Sequence, residues 1–203
     1  MEIIQALKQI LGDPLPGWEA QKLMMPETRR QFKPFNDNDL HPASVLISLF
    51  PKADDWYFPL IRRTEDGYAH SGQIALPGGR REGSETKVET ALREAQEEVN
   101  LPAAQVSILG RTSPLPIPVS KHIVQPFVGY LDRQPSFQRA PKEVDEILLI
   151  SLQDFTALDI STEIRQFSGV DFEIPYFEIM GHKVWGATGM ILSEFKAILS
   201  RIT

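Results

Sequence analysis

The stretch from Gly78 to Leu101, GGRREGSETKVETALREAQEEVNL, constrains the fold of this chain more than any other. It begins with a glycine pair behind Pro77 and ends at Leu101-Pro102, where the residue before proline is pushed out of the helical region. Between these limits Val88, Leu92, Ala95 and Val99 recur at the 3.6-residue spacing of one helical stripe, with Ala91 at its edge. Ser84 can cap this helix, and Glu85 then falls in the first turn, where the helix dipole favours an anion. Asn100 stands where a helix often ends in a left-handed residue, a conformation asparagine tolerates better than most non-glycines.

The polar positions divide into two flanks. Glu85, Glu89 and Arg93 cluster on one, so Arg93 is expected to pair with Glu89 and lean toward Glu85. Glu94 and Glu98 lie one turn apart beside the apolar stripe, with Glu97 a little further round, and this flank has no cation of its own. Like charges at i,i+4 cost about 0.2–0.5 kcal/mol each, and the ordinary explanation would be a solvated acidic face. The preceding Pro-Gly-Gly argues otherwise, because it allows close backbone approach and offers the Gly78 carbonyl beside the carboxylates. Carboxylates with a backbone oxygen are hard ligands suited to Mg²⁺, which keeps waters and bridges to phosphates. The pattern reads as a metal site.

The spacing from Gly79 through Glu85, Arg93-Glu94 and Glu97-Glu98 to Leu101 resembles the Nudix box, the signature of Mg²⁺-dependent hydrolases that cut a diphosphate linked to another group. Asn100 replaces the glycine of that box. Upstream, Leu60-Ile61, Arg63-Thr64 and His70-Ser71-Gly72-Gln73 resemble the additional signature of coenzyme A pyrophosphatases, with Arg62, Tyr68 and Leu76 as departures. The resemblance implies an α+β fold, the Nudix-type α/β/α sandwich with a mixed sheet. It also implies hydrolysis of coenzyme A or a derivative to 4′-phosphopantetheine and adenosine 3′,5′-bisphosphate. Glu94, Glu98 and the Gly78 carbonyl would then hold Mg²⁺ or Mn²⁺, and Glu97 would hold a second ion or take the proton of the attacking water. Gly79, Glu85 and Arg93 would support that site, while Arg63, His70 and Gln73 would contact substrate. Glu143 or Glu146, in the acidic run before Ile147–Ile150, could add a ligand or base, or belong to a solvated cluster.

Read without the resemblance, Arg63 is either a planar fork for phosphate or half of a surface ion pair with Glu65 or Asp66. His70 and Gln73 either bind a ligand or satisfy loop backbone. Two alternative functions stand beside the main one: a Nudix enzyme for ADP-ribose or another nucleotide, and a non-catalytic nucleotide-binding protein. Tyr68, where many coenzyme A enzymes carry a second arginine, keeps the first open. The intact Glu94, Glu97 and Glu98 set opposes the second.

Net charge is −6 with no basic block, which argues against nucleic acid as a partner and makes a cation necessary for handling phosphates. The absence of cysteine excludes disulfides, thiolate metal sites and a cysteine nucleophile. No apolar run approaches the ~18 residues of a membrane span, and no targeting signal opens the chain, so the expected setting is cytoplasmic with no membrane partner. Residues 1–40 are expected to form a helical extension and residues 41–203 the Nudix domain. Ile3, Ile4, Leu7, Ile10 and Leu11 predict an amphipathic helix stopped by Gly12, packing on the domain or on a second copy in a homodimer. A brief helix is expected between Pro16 and Pro26. Ala43–Phe50 should be a strand buried on both faces, joined by a hairpin to Trp56–Ile61. Val106–Thr112 and His122–Asp132 read as strands, the second marked by Pro126 as an edge or a bulge. Ser113–Val119 is too rich in proline to join a ladder. Trp185 is expected in the core, ahead of a closing helix over Gly189–Ile202.

Overall fold

Apolar residues on both phases of the alternation commit one strand to having no solvent face. Leu46 and Phe50 enter one core and Ile47 and Leu49 another, and all four are fully buried. This strand, β1 (His41–Lys52), is the centre of the computed structural model, which describes residues 2–26, 40–65, 71–167 and 169–202. His70, Tyr68, Arg29 and Arg30 lie outside the described residues.

A turn at Ala53-Asp54 returns the chain as β2 (Asp55–Arg63), antiparallel to the far end of β1. At the near end of β1 the antiparallel partner is β4 (Gly78–Arg80), preceded by β3 (Ile74–Ala75) on β2. The helix α3 (Lys87–Val99) follows, then β5 (Ser107–Arg111), β6 (Leu115–Ile117) and β7 (His122–Tyr130). Strand β7 runs parallel to β1 from His41↔His122 to Leu49↔Tyr130, which makes the sheet mixed, as expected. β8 (Val144–Ser151) pairs with β2. A smaller three-stranded sheet contains β9 (Ser161–Phe167), β10 (Val170–Ile179) and β11 (His182–Val184).

Helices cover both faces. On one, Ala91, Ala95 and Val99 of α3 pack with Leu46, Phe50, Ile61 and Phe127. On the other lie α1 (Glu2–Ile10), α2 (Trp18–Gln21), α4 (Leu152–Ala157) and α5 (Gly186–Leu199). There Leu7, Met24, Phe155 and Phe195 share a core with Ile47, Phe58 and Val128. The apolar face of α1 is therefore buried in its own chain. Among the described residues, no helix is long and apolar enough to cross a membrane.

Four expectations are corrected or refined. Residues 115–117 do join a ladder: β6 pairs antiparallel with β7, from Leu115↔Val124 to Ile117↔His122. Pro126 is not on an edge strand, since β7 has β1 on one side and β5 and β6 on the other, but it does stand at an irregularity: between Arg111↔Phe127 and Leu115↔Val124, three residues of the neighbouring chain face two of β7. The carbonyl of Pro126 accepts from the Thr112 N–H at 3.1 Å, and the Thr112 carbonyl, which a residue other than proline would bond in return, accepts from Gln125 Nε2 at 2.8 Å. A side-chain amide thus replaces the missing backbone donor. Trp185 is only half-buried, with the Arg165 guanidinium 4.7 Å over its ring, and the closing helix starts earlier, at Gly186.

Candidate metal and phosphate site

The site is built on α3, and α3 begins later than Ser84. Thr86 is its N-cap: the hydroxyl accepts from Glu89 N–H, and the Glu89 carboxylate accepts from Thr86 N–H at 2.7 Å, a reciprocal capping box. Glu89 is spent on the cap and does not pair with Arg93. At the other end Asn100 adopts φ 56°, the left-handed close its position suggested.

Burial of Ala91, Ala95 and Val99 fixes the rotation of α3, so that Glu94 and Glu98 face β4. Glu98 accepts the Gly78 N–H at 2.9 Å and its side chain is only 1 % exposed. Gly79 lies against Glu94; a Cβ there would sit 2.5 Å from the Glu94 carboxyl carbon. The glycine pair is thus the cradle for both carboxylates, which explains its need for two residues without side chains.

The flank thought to lack cations has two. Arg93 reaches Glu85 at 2.6 Å, Glu97 at 2.8 Å and Glu94 at 3.0 Å, and donates to the Arg80 carbonyl. Among the described residues, Arg63 pairs with Glu98 at 3.5 Å. These contacts divide the carboxylates by environment. The Arg93 hydrogen bond, with the Glu82 N–H, lowers the pKa of Glu85 to about 2. Burial raises Glu98 to about 8 against the opposing Gly78 N–H and Arg63, with Glu94 and Glu143 adding repulsion. Burial likewise raises Glu94. Thr90, unremarked in the sequence, is buried beneath this network and donates to Glu85 at 3.0 Å. Its one signal was a hydroxyl beside the apolar stripe.

Two desolvated carboxylates one turn apart, both resisting ionisation, call for more positive charge than two arginines supply. Their oxygens, with Glu97, suit Mg²⁺ or Mn²⁺. Among the described residues no three His, Asp or Glu side chains converge closely enough to hold an ion alone.

The other anticipated residues separate. Gln73 is beside Arg63, whose N–H donates to the Gln73 carbonyl at 3.0 Å. Glu143 faces the site electrostatically, raising both Glu94 and Glu98. Glu146 belongs to β8, not to a loop; it pairs with Arg62 at 3.3 Å and stands 3.7 Å from His182. That contact arises from the register of β2 with β8, which no local reading supplies.

A family model described as the NUDIX domain matches residues 40–168. The chain belongs to the Nudix family, whose members are hydrolases of nucleoside diphosphate-linked substrates that generally use divalent ions such as Mg²⁺ or Mn²⁺. Among relatives, it is 32% identical over 169 residues to a protein of Photorhabdus laumondii named Uncharacterized Nudix hydrolase NudL, spanning 80% of this chain and 86% of that one. A protein of the same name from Yersinia enterocolitica is 33% identical over 157 residues, 75% and 78% of the two chains. Among solved structures, a MutT/nudix family protein from Enterococcus faecalis superposes with TM-score 0.52 at 15% identity, covering 86% of this chain and 66% of that one. A MutT protein from Methanosarcina mazei gives 0.50 at 16% identity, covering 80% and 92%. At these identities the structural matches speak for the fold, the mixed sheet between helices.

Proposed function

We propose that this Nudix hydrolase cuts the diphosphate bridge of coenzyme A or an acyl derivative, releasing 4′-phosphopantetheine and adenosine 3′,5′-bisphosphate. The observation that supports this most is the position of Arg63. It belongs to the stretch resembling the coenzyme A signature, and its guanidinium lies 3.5 Å from Glu98, the most buried carboxylate of the box. A five-donor fork at that place can exchange a carboxylate for a phosphate oxygen. Gln73 immediately precedes β3, the strand paired with that of Arg63, and its carbonyl accepts the Arg63 N–H at 3.0 Å.

Glu94, Glu98 and the Gly78 carbonyl would hold the divalent ion, which when bound neutralises phosphate charge and lowers the pKa of water. Glu97, 58 % exposed and paired with Arg93, would receive the proton of the attacking water or hold a second ion. Arg93 keeps Glu85, Glu94 and Glu97 in one array.

The test is a substrate panel with Mg²⁺ and with Mn²⁺: coenzyme A, ADP-ribose, NADH and nucleoside triphosphates, with products identified by mass. Coenzyme A should be cleaved to the two named products. Preferential cleavage of ADP-ribose would overturn the substrate, and cleavage of nothing would overturn the activity. Glu98→Gln and Glu97→Gln should each lower metal-dependent turnover more than tenfold; activity within tenfold of the parent would remove those residues from the mechanism.

A further inference from the structure

Strand β9 ends the smaller sheet and, among the described residues, is paired on one side only, with β10. Its central side chain, Ile164, is 74 % exposed, and Ile160 and Val170 are exposed on the same hairpin. An exposed edge of seven residues with an apolar centre is a template for another strand. Its charges indicate which one. Glu163 and Arg165 flank Ile164 on the opposite face of the strand, paired with each other at 2.5 Å, and Glu163 also contacts Lys183.

We propose that β9 is the contact strand of a homodimer, in which two copies pair antiparallel about a twofold axis at Ile164. In this register Glu163 lies opposite the partner's Arg165, and Arg165 opposite the partner's Glu163. The four charges then alternate in sign around a square, and the two Ile164 side chains meet on the other face. Sliding the partner by one residue pair sets Glu163 against its own copy, or Arg165 against its own copy. Like charges directly opposite are destabilising, so the strand's own sequence selects one register. The pairing is isologous, with the same patch used on both subunits. The apolar face of α1, the other surface suited to self-association, is already buried in its own chain.

The chain contains no cysteine, which makes the register directly readable. Residues directly opposite in an antiparallel pair have Cα atoms about 4.5–5.5 Å apart, within the roughly 4.4–6.8 Å range of a disulfide. Mild oxidation of Ile164→Cys should give a covalent dimer on non-reducing electrophoresis. Thr162→Cys and Gln166→Cys should each stay monomeric alone and cross-link when mixed. By light scattering the parent protein should have twice the 22.9 kDa chain mass, and Ile164→Lys should halve it. A parent that stays a single chain up to its solubility limit would overturn the proposal. So would a dimer that survives Ile164→Lys, or equal cross-linking of Thr162→Cys and Ile164→Cys. Should Ile164→Lys misfold, the cysteine series decides by itself.

Discussion

One methyl group at position 79 would measure how tightly the carboxylates are cradled. Gly79 has none of the left-handed backbone that would forbid alanine, but the added Cβ would fall on the Glu94 carboxyl group. Gly79→Ala should therefore leave Tm within a few degrees of the parent and reduce metal-dependent turnover on the order of 10- to 100-fold. Thermal unfolding checks the first, and steady-state kinetics against a Mg²⁺ titration checks the second. A second residue-scale prediction concerns Glu85, whose pKa falls from 4.5 to about 2 on folding. A lowered carboxylate pKa stabilises the fold above the unfolded value and loses that contribution as pH drops through the folded one. The Tm difference between the parent and Glu85→Gln should hence be full at pH 6 and shrink steadily from about pH 4.5 toward pH 2. A difference independent of pH would show that the Arg93–Glu85 pair contributes through packing rather than charge. At this scale the positions of Glu94 and Glu98 were legible because i,i+4 spacing is local. Of the two partners expected for Arg93, Glu85 is met at 2.6 Å and Glu89 is not, since Glu89 has a better use at the cap.

Among elements, α3 starts later than the sequence reading has it, with Thr86 and not Ser84 as its cap. Thr86→Ala removes the capping box and should cost about 1 kcal/mol, or roughly 2–4 °C in Tm for a chain of this size. Ser84→Ala should change nothing measurable; thermal unfolding of the pair separates the two caps. Both residues have capping hydroxyls, and the glutamate three positions after Thr86 was the clue that distinguished them. β6 and β7 show a different limit. Proline content forecasts where backbone donors are missing, and it did so correctly at 116 and 126. It does not forecast that a neighbouring glutamine amide will supply the bond, because that depends on where β5 ends and β6 begins. The hydrophobic pattern of β1, buried on both faces, carried enough information to place the centre of the sheet.

For the whole molecule the decisive tie is Glu194, fully buried in α5. Its carboxylate accepts from the N–H groups of Gly17 and Ser113 and from Gln21 Nε2, joining the first helices, the strand connection after β5 and the last helix. Glu194→Ala leaves the Gly17 and Ser113 N–H groups without this acceptor and Gln21 Nε2 with the Ser113 carbonyl alone, and should destabilise the protein by about 3 kcal/mol or more. Calorimetry should find Tm lower by on the order of 10 °C, with catalytic constants at low temperature little changed, since α5 and α3 pack into different cores on opposite faces of the sheet. Nothing in the sequence signalled this residue: it sits in an apolar helix like a solvated glutamate, and its partners are more than eighty positions away. The same tie sets an order of events in translation. Gly17 is synthesised 177 residues before Glu194. At roughly 5–20 residues per second, the first helices wait about 10–35 s for their acceptor. Through that interval Leu7 and Met24 have no α5 to cover them, so the nascent chain offers chaperones an apolar N-terminal segment that the finished protein hides.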